Sequence, residues 1–166
     1  MKDLTDPFAR DLVALLPRLR RFALSLSRRA DLADDLVQVT AERAYAARDR
    51  FDPATRMDSW CFRILRNAWL DGLRRDQSRG PQVDIADAPD AGEVDGVAVT
   101  ESRLMLQAVM AAMDRLPQDQ REVLMLVCVE ELSYKEAAAI LDIPLGTVMS
   151  RLSRGRLALA SATGIN

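Results

Sequence analysis

Between Gly146 and Arg156 the chain carries three arginines and no acid, interleaved with small hydroxyl side chains. Thr147, Ser150, Arg151 and Arg154 recur at three- and four-residue spacing, so a helix would set them along one side. Short polar groups reach base edges, and guanidinium groups meet phosphate oxygens or the edge of guanine. The chemistry on offer is therefore reading of duplex DNA in its major groove. The solvated face of an ordinary amphipathic helix would carry the same pattern.

A second cluster lies upstream. From Trp60 to Arg79 there are five arginines against two aspartates. Phe51, Trp60 and Trp69 are interleaved with these and neighbouring arginines, and Arg63 and Asn67 fall near Trp60 on a helix. Cations for phosphates beside flat faces for unstacked bases are what a melted strand needs. Trp69 reads as core, whereas Trp60 suits either role.

Catalysis is poorly supplied. The chain has no histidine, which removes His-based triads, His general bases and most zinc sites. No metal-ligand or nucleophile constellation emerges, so no catalytic residue, metal or cofactor is expected. Cys61 and Cys128 are far apart, and both fall in apolar helical runs where buried, reduced thiols are expected. No apolar run is long enough to span a bilayer and the N-terminus lacks a signal core, so a cytoplasmic protein without membrane insertion is expected.

The elements that must position these residues are helical. Half of the residues are hydrophobic (49%), 29% are charged, and alternating β-branched runs are absent. Asp6-Pro7 reads as a helix start. Phe8, Leu12, Leu15, Leu19, Phe22 and Leu26 form an amphipathic stripe, which Pro17 should kink or split. A second helix near Ala30 to Arg48 has Leu32, Leu36, Val39 and Ala44 as its inward side and Asp31, Asp34, Asp35, Gln38 and Glu42 as an acidic outer side. A loop follows, and a third helix starts near Trp60. From Pro81 to Glu101 there are six acids and no base, which reads as a flexible linker. Beyond it, Leu106, Val109, Met110 and Met113 form a stripe, Leu116-Pro117 breaks it, and a helix follows over about Gln118 to Val129. Ser133 with Glu136 makes a capping box, Asp142-Ile143-Pro144 a turn, and a last helix starts near Leu145 with Leu145, Val148, Leu152 and Gly155 inward. The fold expected is all-α: two small helical domains, 1–78 and 101–166, joined by an acidic flexible linker over 79–100. The second is a four-helix domain ending in a helix-turn-helix.

With these motifs in order, the chain resembles the extracytoplasmic-function sigma factors of bacterial RNA polymerase. DLADDLVQVTAERAY, RFDP and SWCFRILRNAWLDGLRR carry the likeness in the first half, and LPQDQREVLML with LSYKEAAAILDIPLGTVMSRLSRGRLAL carries it in the second. The resemblance implies that Asp34, Asp35, Leu36 and Gln38 dock on core RNA polymerase. It implies that Phe51, Met57, Ser59, Trp60, Arg63 and Asn67 capture and open the minus-ten promoter element. It also implies that Thr147, Ser150, Arg151 and Arg154 read the minus-thirty-five element. Promoter DNA and an anti-sigma factor are the further partners implied, and the linker would thread the RNA exit channel. Three positions depart from the family pattern: Val39 replaces an acid, Met149 a base and Asp142 the turn glycine. Two other readings compete with an alternative sigma factor that directs promoter recognition, melting and initiation. One is a sigma-like mimic that sequesters an anti-sigma factor; the other is a dimeric helix-turn-helix repressor.

Overall fold

The computed structural model describes residues 6–80 and 101–164. The acidic segment read as a linker lies, from residue 81 to 100, outside the described residues. Those described form helices, with no strand among them.

Helix α1 (Pro7–Ser27) starts where Asp6 caps it: its carboxylate accepts the Phe8 N–H at 3.0 Å, and Pro7 takes the first helical position. Leu12, Leu19, Phe22, Ala23 and Leu26 are its buried side. The chain does not split at Pro17. That residue is exposed, so the backbone groups it leaves unpaired meet solvent rather than core. Helix α2 (Ala30–Ala46) buries Ala33, Leu36, Thr40 and Ala44. The inward side expected from apolar spacing is thus rotated: Leu32 and Val39 are exposed, and small Ala33 and Thr40 let α1 approach instead. The Thr40 hydroxyl satisfies itself on the Leu36 carbonyl at 2.7 Å. A short 3-10 turn (Arg48–Arg50) leads to α3 (Met57–Ser78), which buries Cys61, Phe62, Leu65 and Ala68. Phe22 and Phe62 meet edge to face, centroids 5.4 Å apart, and both are fully buried.

The second domain holds α4 (Glu101–Arg115), α5 (Gln118–Leu124), α6 (Tyr134–Leu141) and α7 (Leu145–Thr163). The break at Leu116-Pro117 stands between α4 and α5, and α5 runs on into a π-helical turn (Met125–Val129). Two spacing-based expectations hold only in part here. On α4 the buried residues are Ala112 and Met113, while Leu106 and Met110 are exposed, because the small Ala112 side is the one packed inward. Leu145 is exposed at the start of α7, but Val148, Leu152 and Gly155 are buried as expected. Gly155 is needed for close approach: a Cβ there would lie 2.7 Å from Leu124 Cδ1. Cys128 is exposed, contrary to the expectation of a buried thiol, because it falls on the outer side of the π turn beside Arg156. Cys61 is buried, and burial pushes its thiol up to about 12.

The two domains pack together: α3 lies against α6, and α1 against α5 and the π turn.

Candidate nucleic-acid interface

The helix-turn-helix is built from local signals. Ser133 Oγ accepts the Glu136 N–H at 3.1 Å, and Glu136 Oε2 accepts the Ser133 N–H at 2.8 Å, so both halves of the capping box are made. Asp142 ends α6 in the left-handed region at φ 53°, where a side chain is disfavoured and glycine is free. On α7, Ser150 and Arg154 are exposed, while Thr147 and Arg151 are half-buried. Arg151 pairs with Asp119 of α5 at 3.2 Å, so its guanidinium must leave that carboxylate to meet DNA. Ser150 and Arg154 bond only locally, to the carbonyls of Thr147 and Ser150. Met149, in the place of the family's base, is 52% exposed beside them.

In the first domain, Phe51 and Trp60 are not free platforms. Their ring centroids lie 5.2 Å apart and both rings pack on Phe8, at 5.9 and 6.2 Å; the Tyr45 ring lies 6.5 Å from that of Phe8. Each of the pair remains half-buried. Arg63 and Asn67 are exposed one turn apart on α3. Met57 borders a shallow depression of about 290 Å³ lined also by Asp11, Ala14, Leu15, Arg56 and Asp58. Ser59 Oγ, half-buried, donates to Glu136 of the second domain at 3.2 Å. Trp69 is half-buried against the core and its buried indole N–H has no hydrogen-bond partner in the structure.

On α2, Asp34, Asp35 and Gln38 are exposed, and Leu32 and Val39 flank Asp35 on that face. Asp34 is held by Arg20 at 2.7 Å, and Gln38 donates to Glu42 at 3.1 Å. Leu36 is 9% exposed, so its side chain packs in the core rather than on the outer surface.

Sequence reasoning missed Asp58, buried at the start of α3. Burial alone would raise its carboxyl, but hydrogen bonds from Arg56 at 2.7 Å and Arg18 at 2.9 Å outweigh that and hold it below the usual carboxylate range. It missed Glu130 as well, discussed below. The available hint was an acid pair, Glu130-Glu131, closing a strongly apolar run. Among the described residues, no group of three or more His, Cys, Asp or Glu side chains is arranged to hold a metal, and no helix is long and apolar enough to cross a membrane.

Comparison with known proteins agrees with this geometry. Residues 12–79 match the family model for Sigma-70 region 2, and residues 106–159 match that for Sigma-70, region 4. The chain is 42% identical to ECF RNA polymerase sigma factor EcfG of Rhodopseudomonas palustris (strain TIE-1), over 95% of this chain and 86% of that protein. The chain belongs to the ECF RNA polymerase sigma factors. It is an alternative sigma factor, a protein that directs transcription initiation. Among solved structures, the sigma factor resembles RpoE of Bartonella quintana in complex with the anti-sigma factor NepR, at 34% identity and TM-score 0.73, covering 96% of this chain and 98% of that one. It also resembles CnrH in complex with the cytosolic domain of CnrY, at 28% identity and TM-score 0.63, covering 93% and 85%. The α1–α3 unit of this sigma factor corresponds to the first matched region, and α4–α7 to the second.

Proposed function

We propose that this sigma factor docks on core RNA polymerase through the acidic face of α2 and reads a promoter at two places. Exposed Asp34, Asp35 and Gln38 supply the docking face, with Leu32 and Val39 as its apolar flank. Arg63 and Asn67, with Phe51, Met57, Ser59 and Trp60, take the minus-ten element. Thr147, Ser150, Arg151 and Arg154 take the minus-thirty-five element from α7. The observation that carries this reading is the pair of exposed polar and cationic helix faces, one in each matched sigma region. Extrusion of a base from the stack costs a few kcal/mol. The depression beside Met57 is the place for such a base, with Arg56 at its rim for phosphate.

The protein acts as a specificity subunit, not as an enzyme by itself, and works in the cytoplasm. RpoE is seen with the anti-sigma factor NepR and CnrH with the cytosolic domain of CnrY, and an anti-sigma factor is the matching partner here. A sigma-like mimic needs no DNA-reading surface, and the cations on α3 and α7 weigh against it. A repressor would leave the acidic face of α2 without a task.

Reconstituted transcription tests the proposal: core polymerase, this protein and a library of genomic promoter fragments. Initiation at a shared two-block promoter that depends on the protein is the expected result. Specific duplex binding without polymerase-dependent initiation would favour the repressor. Tight capture of an anti-sigma protein without initiation would favour the mimic.

A further inference from the structure

The seam between the domains carries a network of charge beside an apolar cluster that is continuous through both. Glu130 of the second domain has a fully buried side chain. Arg18 of α1 donates from Nε to Glu130 Oε2 at 2.8 Å and from Nη2 to the Glu130 carbonyl at 2.9 Å. Arg21 donates to Glu130 Oε1 at 3.1 Å. Arg18 also reaches Asp58 at 2.9 Å, so one guanidinium ties α1, α3 and the second domain. Around this centre, Arg66 pairs with Glu122 at 3.0 Å, both largely buried, and Arg56 pairs with Glu136 at 3.5 Å. Arg121 returns the favour from the second domain, donating to the Ser25 carbonyl at 2.8 Å. Arg18, Arg21, Arg56 and Arg66 of the first domain thus face Glu122, Glu130 and Glu136 of the second.

The backbone at Glu130 is shaped for this contact. The π turn closes with the Glu130 N–H on the Met125 carbonyl at 2.9 Å, Glu131 adopts the left-handed region at φ 56°, and the Leu132 N–H reaches the Leu126 carbonyl at 3.0 Å. A side chain at positive φ is disfavoured and needs surrounding structure to hold it. None of the proposed reading of DNA or docking on polymerase uses Glu130.

We propose that these contacts form an intramolecular latch that holds the free sigma factor closed, and that promoter engagement requires it to open. The promoter part of this inference rests on the function proposed above. Two elements some 18 base pairs apart are about 60 Å apart on B-DNA, at roughly 3.4 Å per pair. In the closed chain Ser59 touches Glu136, and a domain the size of the second is only roughly 30 Å across. The two reading surfaces therefore cannot reach both elements at once, and Ser59 and Arg56 are already engaged. Charge-assisted bonds across the seam can be exchanged for bonds to water, so this closure is reversible.

The test is small-angle X-ray scattering of the full chain, free of any partner, for wild type, Glu122→Arg, Arg66→Glu and the double variant carrying both. Wild type in low salt is expected near the radius of gyration of a single compact chain of this length, about 15 Å. Each single reversal is expected to raise it above about 20 Å as the domains part. The double variant, which restores an opposite pair, should return to the wild-type value. Circular dichroism checks that helices persist; where Glu122→Arg does not fold, Glu130→Gln at the centre of the seam is read in the same way. An expanded wild type, or folded variants with unchanged radius, would overturn the latch. No promoter or polymerase enters this readout, so a wrong promoter assignment leaves it standing. In transcription with core polymerase and no anti-sigma factor, opened variants should form open complexes roughly two- to tenfold faster at limiting sigma factor. Opened variants with no gain would overturn closure as an inhibitory state.

Discussion

The interiors of the two domains are apolar, and the seam between them adds buried charge to the apolar contact that joins them. Within the first domain Phe22, Phe62, Leu19 and Leu65 are fully buried, and Val123, Leu126 and Val148 do the same in the second. Between the domains the central buried group is a carboxylate, with guanidinium groups around it. Apolar burial cannot be undone without exposing surface worth about 25 cal/mol per Å². Buried ion pairs roughly balance desolvation against attraction, so they define a geometry while contributing little net stability. A molecule built this way keeps its domains folded while leaving the relation between them adjustable.

The largest expected effect breaks an interior. Phe62→Ala should cost the first domain about 3–5 kcal/mol. Thermal melting of this variant should then show α1–α3 unfolding before α4–α7. A single lowered transition would mean that the two domains unfold as one cooperative unit.

On the reading surface, Arg151→Ala should weaken promoter binding by the holoenzyme by about 1–3 kcal/mol if Arg151 leaves Asp119 to contact a base. Chain stability should hardly change, because its pair with Asp119 is half-exposed. Unaltered promoter affinity would remove Arg151 from the interface.

Acid acts on the first domain and on the seam together, since Asp58 is held by Arg56 and Arg18 within the first domain while Glu136 also reaches Arg56 and Ser59 across the seam. For Asp58, burial raises the carboxyl, but hydrogen bonds from Arg56 and Arg18 prevail and hold it low. For Glu136, burial likewise raises it, and the Ser133 N–H and hydroxyl, Arg56 and Ser59 more than offset this. Both folded values lie below the unfolded ones. The stability they confer is therefore complete above the ordinary carboxylate range and is lost as pH falls below about 4. The midpoint of a denaturant melt should fall between pH 6 and pH 3 as the two carboxylates protonate. A midpoint that did not move over that range would show that neither carboxylate is stabilised by its partners.

The smallest effect lies in the turn. Asp142→Gly should stabilise the second domain by roughly 0.5–1 kcal/mol, since it removes a left-handed side chain while conceding some unfolded-state entropy. A denaturant melt that moved the other way would show that the Asp142 side chain has a stabilising partner.

Much of this was legible in the chain. Asp6-Pro7, Ser133 with Glu136, Leu116-Pro117 and Ile143-Pro144 are local signals, and each marks a helix end as expected. The division into two helical units and the helix-turn-helix with Thr147, Ser150, Arg151 and Arg154 on one helix follow from such local rules. They are decided by hydrogen bonds and backbone preferences within a few residues.

What the tertiary structure decided is which side of each helix faces inward and how the two units meet. Leu32, Leu106 and Met110 fit an apolar spacing yet stand exposed, because small residues such as Ala33 and Ala112 let neighbouring helices approach on another side. The seam has no period at all: Arg18 and Glu130 are 112 residues apart, and opposite charges at that distance leave no local pattern. Only the packing of α1 against the π turn brings them together, and with them the burial that turns two ordinary surface residues into the centre of an interface.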